Sequence, residues 1–337
     1  MLPLPTDLQP VHDHVAATAA EVDAGVRDVR DGLRWLGARG LLRPHPDRGE
    51  RVGDVLRLIR ALASASLADA FAVWSQTMVI EYLRCCPPAQ ELAVVLEELT
   101  AGTVPGATAL APALADLAGG PAVPVLATPV PDGWALTGPV PWASNLFDGA
   151  AVVLPARTPD DGRLVALLRL GDPGVAVRPP TPLLALNATG TSRVDLAGAA
   201  VPAGAVLSRD LGSFLGLCRP TMLLTQAALA VGVADAALAS AAEALSAPVA
   251  AEHAALVTRR DDVAAELAEL AAGRGAPGGV PGARLAGLEL VARAVELEGL
   301  VRGGSGFAAA SPTSRRRREA AFLPLQAPTA LQLRAAA

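Results

Sequence analysis

Residues 133–145 read Gly-Trp-Ala-Leu-Thr-Gly-Pro-Val-Pro-Trp-Ala-Ser-Asn, near the middle of a chain of 337 residues. A turn signal, Pro131-Asp-Gly133, comes directly before the first tryptophan. Gly, Asp and Pro in this order favour a tight turn, and Gly133–Thr137 has the composition of a β-strand. We therefore expect residues 133–145 to belong to a β-hairpin in which the tryptophans are either core side chains or part of a binding site.

The residues around this hairpin have the same β-rich character. From about Gly102 to Leu207 helical spacing is lost, and short apolar runs are separated by Gly and Pro. Strands at this spacing are typical of a small sandwich or barrel. The runs predicted as strands are Pro124–Thr128, Gly133–Thr137, Ala150–Pro155, Leu164–Leu170, Val175–Val177 and Ser192–Leu196.

Apolar residues recur at helical spacing on both sides of the β-rich region. Pro220–Leu245 is apolar enough to be tested as a membrane span, but Gln226, Asp235 and Glu243 favour a buried core helix. The predicted helices cover about residues 52–65, 67–84 and 89–100 on the N-terminal side and 211–245, 250–272 and 283–302 on the C-terminal side.

This order predicts an α+β fold of three units. Residues 1–101 form an N-terminal helical domain, residues 102–210 a middle β-barrel or sandwich, and residues 211–337 a C-terminal helical bundle. The long Ala- and Leu-rich helices of the last unit offer apolar faces, so we expect a homodimer or homotetramer.

The composition excludes several classes of function. All 28 basic residues are Arg, so a P-loop lysine and a Schiff-base lysine are both absent. The formal net charge of −5 argues against nucleic acid as a partner. Three cysteines and four scattered histidines, with no C-x-x-C, predict no metal site. The N-terminus lacks the pattern of a signal peptide, so a cytoplasmic protein is expected.

The order of the predicted units and the hairpin resemble the acyl-CoA dehydrogenase family. Residues 133–145 are similar to the family pattern G-W-x-L-x-G-x-K-x-W-I-T-N. The resemblance implies an FAD cofactor, with Trp142 against the flavin ring and Ser144 hydrogen-bonded near its N5 atom. A weaker likeness, Thr108-Ala-Leu-Ala-Pro112, implies that Thr108 belongs to the flavin loop.

Two further segments carry the resemblance into the C-terminal part. Gly303-Gly-Ser-Gly-Phe307, followed by Pro312, Arg315 and Arg318, has the spacing of G-G-x-G-Y-x-x-x-x-P-x-x-R-x-x-R-D. It implies that Gly303 and Gly304 approach the FAD diphosphate of a neighbouring subunit. Gln226–Ala234 is similar to the family's core helix, in which small residues allow close packing, and Arg219 at its start is a candidate substrate-binding residue.

One position departs from the family. The catalytic Glu of its Y-E-G-T motif falls on Ala327 of Gln326-Ala-Pro-Thr329, and the base that some relatives carry on the long helix falls on Cys218. Dehydrogenation next to a carbonyl needs a base for the α-proton, and Ala cannot take it. The catalytic residue is therefore unknown at this point.

Three functions stay open on these residues. The chain is a flavin-dependent oxidoreductase that acts on an acyl thioester, such as an acyl-CoA, or on a related small-molecule substrate. Alternatively it is a flavin monooxygenase on the same fold, which needs no such Glu. Its third possible role is that of a non-catalytic, base-less subunit of a hetero-oligomer.

Overall fold

A computed structural model describes residues 7–44, 47–86, 90–179, 181–276 and 279–335. Helices come first, strands follow, and helices end the chain, as the sequence predicts. The helices are α1 Gln9–Ala16, α2 Ala19–Asp23, α3 Arg30–Ala38, α4 Arg48–Ala65, α5 Leu67–Arg84, α6 Gln90–Thr100, α7 Ala111–Leu117, α8 Leu211–Ala242, α9 Ala247–Ala271, α10 Gly279–Phe307, α11 Pro312–Phe322 and α12 Ala330–Ala335.

The strands form one sheet in the order β6-β7-β3-β2-β4-β5-β8, and β1 pairs parallel to β4. Gly133 pairs with Val130 and Trp134 with Pro129 where β3 lies beside β2, and β3 pairs on its other side with β7. The strands are β1 Gly106–Thr108, β2 Leu126–Val130, β3 Gly133–Ala143, β4 Ala151–Arg157, β5 Arg163–Arg169, β6 Val175–Val177, β7 Ser192–Pro202 and β8 Val206–Ser208.

Strand β4 joins the sheet to the helices. Successive side chains of a strand point to opposite faces. Val152 and Leu154 of β4 lie in the apolar core enclosed by the sheet, whereas Ala151 and Val153 lie in the core shared with the helices. Both faces of β4 are buried, and this fixes the position of the sheet against α5.

Helix α5 begins where α4 ends, because Ser66 has extended backbone angles and its hydroxyl accepts a hydrogen bond from the Asp69 N–H. All of α5 up to Leu83 is buried. Helix α8 is the second central helix, and 83% of its most apolar 18-residue segment is buried within the fold. This confirms the interpretation of Pro220–Leu245 as a mostly buried core helix.

The structure corrects several predicted boundaries. Strand β3 continues past Thr137 to Ala143, because it keeps pairing with β7 through an irregularity after Val140. Helix α10 does not end at Arg302 but continues through a kink at Gly303 to Phe307. Strand β1 and helix α7 were not predicted, since three and seven residues are too short to show a period.

Gly232 allows α8 to approach α4 closely. A Cβ built at this position lies 2.4 Å from the Arg60 carbonyl oxygen and 2.7 Å from the Ala63 Cβ. Small residues in Gln226–Ala234 were predicted to serve close packing, and Gly232 confirms it.

We expect the variant G232A to be destabilised by about 1–3 kcal/mol, because the added methyl group overpacks a close helix contact. The control is G216A in the same helix, where a Cβ meets no atom within 4 Å. This control should be stabilised by about 0.5–1 kcal/mol, since Ala favours a helix over Gly. Urea unfolding measures both values, and equal effects of the two substitutions would contradict the packing role of Gly232.

Candidate active site

A cavity of about 470 Å³ lies between the sheet and the central helices. Helix α5 forms one wall, the end of β3 forms the opposite wall, and the segment after α11 closes the cavity. Most of its surface is apolar. The lining residues are Phe71, Trp74, Ser75, Thr108, Leu110, Ala111, Leu114, Trp142, Ala143, Ser144, Leu183, Leu184, Ala185, Leu186, Thr191, Met222, Arg318, Ala321, Phe322, Leu325, Gln326 and Ala327.

Residues that the sequence analysis selected from distant segments meet at this cavity. Trp142 and Ser144 from the hairpin, Thr108 from the end of β1 and Ala327 all line it. Trp142 is 56% exposed. An exposed flat ring at a cavity wall offers a surface on which a planar ligand can stack.

Ser144 begins a chain of hydroxyl groups whose direction is fixed at its far end. Thr189 Oγ1 donates to the Leu186 carbonyl, which can only accept, at 2.7 Å. Thr191 Oγ1 must therefore donate to Thr189 Oγ1 at 2.7 Å, and Ser144 Oγ to Thr191 Oγ1 at 2.6 Å. The proton of Ser144 is thus engaged, and its oxygen offers lone pairs to a ligand N–H or O–H.

Thr108 is held by two neighbours on α5. Its hydroxyl lies 3.0 Å from the hydroxyl of Tyr82, and its backbone N–H donates to Ser75 Oγ at 3.2 Å. Burial raises the pKa of the Tyr82 phenol well above its ordinary value, so Tyr82 stays a neutral hydroxyl. Thr108 adds a second neutral hydroxyl to the polar part of the cavity.

The segment that carries Gln326 and Ala327 is anchored from α8 and α10. Arg284 NH2 donates to the Leu323 carbonyl at 2.6 Å, and Gln226 Nε2 donates to the Ala327 carbonyl at 2.8 Å. Arg284 Nε also donates to Gln226 Oε1 at 3.2 Å, which links the two anchors.

Arg284 is fully buried and forms no ion pair with any described residue. Burial therefore lowers the pKa of Arg284 to about 9. An unpaired cation is expensive to bury, and here its guanidinium holds the segment that closes the cavity.

The described lining residues contain no Asp, Glu, His or Cys. Arg318 is the ionisable side chain among them, and it is bound to Asp23 at 2.5 Å and to the Ala309 carbonyl at 2.9 Å. Cys218 lies outside the lining set and is buried, and burial raises the pKa of its thiol. Neither position of the family base therefore supplies a carboxylate.

Comparison with known proteins identifies the fold. No protein-family profile and no curated protein matches the sequence. The structure is similar to butyryl-CoA dehydrogenase from Megasphaera elsdenii, with a TM-score of 0.85 and 20% identity over 99% of this chain and 98% of that one. This chain has the acyl-CoA dehydrogenase fold.

Two other solved structures have the same architecture. FkbI, which serves biosynthesis of the methoxymalonyl extender unit of the Fk520 polyketide, matches with a TM-score of 0.83 and 21% identity over 97% of each chain. PigA with FAD and proline matches with a TM-score of 0.83 and 16% identity over all of this chain and 97% of that one. The predicted order of helical, β and helical parts is that of the acyl-CoA dehydrogenase fold.

Three selected residues lie away from the cavity lining. Gly303 and Gly304 occupy the kink of α10, where Gly303 has φ 54° and a Cβ at either position meets no atom within 4 Å. Arg219 is half-buried on α8, and its Nε has no hydrogen-bond partner. Their roles toward a neighbouring subunit and toward substrate stay predictions.

Glu319 is a buried acidic residue on α11, next to Arg318 in the sequence. Glu319 accepts a hydrogen bond from the Leu67 N–H at 3.2 Å and lies 3.8 Å from Arg315 Nε. Burial raises its pKa from 4.5 to about 7, although Arg315 opposes this shift. Glu319 does not line the cavity, so it is no substitute for the missing base. Asp69 is also buried, and burial raises its pKa to about 6.

We expect the contribution of Glu319 to the stability of the protein to decrease as the pH rises toward neutrality. Because the pKa of folded Glu319 exceeds its unfolded value, its contribution is fully present below about pH 4.5 and is lost as the pH rises through about 7. The variant E319Q should flatten the fall in the free energy of unfolding between about pH 5 and pH 8. Part of the fall in the free energy of unfolding should remain in E319Q, because the pKa of Asp69 is raised in the same way.

The control for this series is E266Q, which changes an exposed carboxylate on α9. It should leave the pH profile as in the wild type. Urea unfolding at four pH values measures the profile, and an unchanged slope in E319Q would show that Glu319 is ionised in the folded protein throughout this range.

Proposed function

We propose that the protein is a flavin-dependent oxidoreductase that binds FAD at the cavity. Its substrate is small and largely apolar, and the residues that line the cavity supply no carboxylate base for the reaction. The observation that carries the proposal is the convergence of Trp142, Ser144 and Thr108, chosen from a sequence resemblance, on one apolar cavity. Cavities of about 300–1,000 Å³ with few polar groups are typical of small-molecule and cofactor sites.

The residues fit a flavin ring. Apolar side chains of α5 and the Trp142 indole provide faces for a planar ring, while neutral oxygens of Ser144 and Thr108 provide polar contacts at its edge. A bound flavin supplies hydride transfer. Ser144, as an acceptor, stabilises a ligand N–H, and the apolar walls exclude water from the reacting atoms.

The substrate class follows from the missing base and the related structures. Similar solved structures include a butyryl-CoA dehydrogenase and PigA with FAD and proline. We propose an acyl thioester or a related carrier-bound or free acid as the substrate. The α-proton of such a substrate would be taken by a basic group of the substrate itself, because the described lining residues offer no Asp, Glu or His.

A flavin monooxygenase is the second candidate, and the same absence of a carboxylate among the described lining residues favours it. Reduced flavin and oxygen need no base for an α-proton. Consumption of oxygen in step with product would favour this candidate over dehydrogenation.

We further propose a cytoplasmic homo-oligomer. Leu300 and Phe307 are 66% and 83% exposed and lie on either side of the Gly303 kink. Exposed apolar side chains beside two unobstructed glycines support contact between copies at this end of α10.

The purified protein should bind FAD, and Trp142 should contribute to the affinity. Loss of one stacked aromatic contact costs about 0.5–1.5 kcal/mol. W142L should therefore raise the Kd for FAD several-fold to about tenfold. Flavin absorbance and fluorescence quenching measure binding. W35L, at a tryptophan that stacks on His14 away from the cavity, is the control.

A protein that binds no FAD under any condition contradicts the oxidoreductase proposal and favours the base-less subunit. Equal affinities of wild type and W142L would contradict a flavin beside Trp142.

We expect Ala327→Glu to create dehydrogenase activity. A positioned general base contributes about 10²–10⁴-fold, and position 327 lines the cavity. With FAD bound, A327E should reduce an electron-accepting dye with butyryl-CoA at least about 100-fold faster than the wild type. The control A327Q has nearly the same volume but no base and should show no gain. Equal rates of A327E and A327Q would show that residue 327 does not face the reacting carbon.

A further inference from the structure

Aromatic side chains are concentrated at the cavity. The chain has only ten aromatic residues, which are four Trp, one Tyr and five Phe. Four of them are among the 22 residues that line the cavity: Phe71 and Trp74 on α5, Trp142 at the end of β3 and Phe322 at the end of α11. A ligand in this cavity therefore meets more aromatic surface than a chain with 3% aromatic residues would offer on average.

The two rings on α5 are fixed in position. Trp74 Nε1 donates a hydrogen bond to Thr225 Oγ1 at 3.0 Å. The ring of Phe71 stacks on that of Trp74, with the centroids 5.2 Å apart and the planes at 7° to each other. Both residues are buried, so they support the wall of the cavity and leave little of their own surface for a ligand.

Phe322 is the more accessible ring on this wall. Its centroid lies 4.8 Å from that of Phe71, and the two planes meet at 72°, an edge-to-face geometry that aromatic pairs prefer. Phe322 is half-buried and comes directly before Leu323, whose carbonyl Arg284 holds. The ring is thus kept beside Phe71 at the cavity while part of the residue stays accessible.

The other half-buried aromatic rings of the chain are covered by cations. Each lies beneath an Arg guanidinium whose carbon is 3.9–5.5 Å from the ring centroid. The pairs are Arg39 with Trp35, Arg30 with Phe147 and Arg209 with Trp134. Among the described residues no cation lies over Phe322 or Trp142, and the one cation of the cavity lining, Arg318, is paired with Asp23. These two rings are therefore free to contact a ligand.

We infer that the substrate carries an uncharged aromatic group, which packs against Phe322. Phe322 contacts Phe71 on the α5 wall, whereas Trp142 belongs to the opposite wall. The assignment of Phe322 to the substrate rests on the proposed function, in which the flavin lies against Trp142. An aliphatic group would bury similar surface, but only an aromatic group gains the edge-to-face or offset-stacked contact with the Phe322 ring.

The test compares two neutral esters, methyl benzoate and methyl cyclohexanecarboxylate. They have the same number of carbon atoms and the same ester group, and they differ in the aromaticity of the ring. The saturated ring is the more apolar of the two, so burial of apolar surface alone favours it. Titration by NMR or calorimetry measures each Kd, once with FAD present and once without it.

The variant F322L keeps an apolar side chain at the cavity and removes the aromatic ring. F147L makes the same change at a half-buried ring that does not line the cavity, and it is the control. Melting temperatures show that both variants are folded at the temperature of the titrations. A parallel titration with FAD measures the effect of each substitution on cofactor affinity.

We expect the wild type to bind methyl benzoate about twofold to tenfold more tightly than methyl cyclohexanecarboxylate, because an aromatic pair gains free energy beyond the buried area. F322L should lose this preference or bind the saturated ester more tightly, and F147L should keep the preference of the wild type. The Kd of F322L for FAD should stay at the wild-type value, since Trp142 and not Phe322 contacts the flavin.

Three outcomes overturn the inference. Equal affinities of the wild type for both esters, or a preference for the saturated one, would do so without any variant, and therefore also if F322L does not fold. Retention of the preference in folded F322L would show that another ring recognises the ligand. A raised Kd of F322L for FAD with an unchanged ester preference would assign Phe322 to the flavin. Failure of the wild type to bind FAD contradicts the proposed function, but the ester comparison without FAD still tests Phe322.

Discussion

The hydrogen bonds of the buried Arg284 guanidinium hold the segment that closes the cavity, and the shape of the cavity depends on them. It joins α10 to the segment after α11 through the Leu323 carbonyl, and to α8 through Gln226. Burial of a cation without a carboxylate is unfavourable, and an apolar residue at this place would suit a helix core better. What Arg284 provides instead is directed hydrogen bonding: it fixes an irregular segment that has no strand or long helix to hold it. Gln326 and Ala327, which line the cavity, belong to the segment that this bond anchors.

The opposite wall is fixed by a different constraint, the alternation of side chains along β4. Because its two faces belong to different apolar cores, a shift of one residue would exchange the two sets of side chains between the cores and disturb the packing of both. The sheet therefore has one position against α5. The position of Thr108 is fixed in turn, because β1 pairs with β4 and places Thr108 opposite Val153. The hydroxyl groups of the cavity and the segment that carries Gln326 are thus placed by independent parts of the molecule.

This division explains what the sequence predicted and what it did not. The hairpin carries enough pattern to select Trp142 and Ser144, and the helical period predicts the bounds of α5 to the residue. Arg284 and Gln326 have no such signal. Each is a single polar residue whose meaning depends on burial, and burial depends on contacts between segments far apart in sequence. The direction of the hydroxyl chain cannot be predicted from the sequence either. It is set by the backbone carbonyl of Leu186, and every loop residue has such a carbonyl.

The polar groups of the cavity are neutral wherever they are free to meet a ligand. Ser144 offers an oxygen whose proton is engaged, Thr108 carries a neutral hydroxyl, and the guanidinium of Arg318 is paired with Asp23. A carboxylate at position 327 would add a proton acceptor to such a cavity, but it would also introduce a charge that Arg318 is not free to balance. Ala327 therefore suits the neutral, apolar character of the cavity, whereas a Glu at this position would need a partner for its charge.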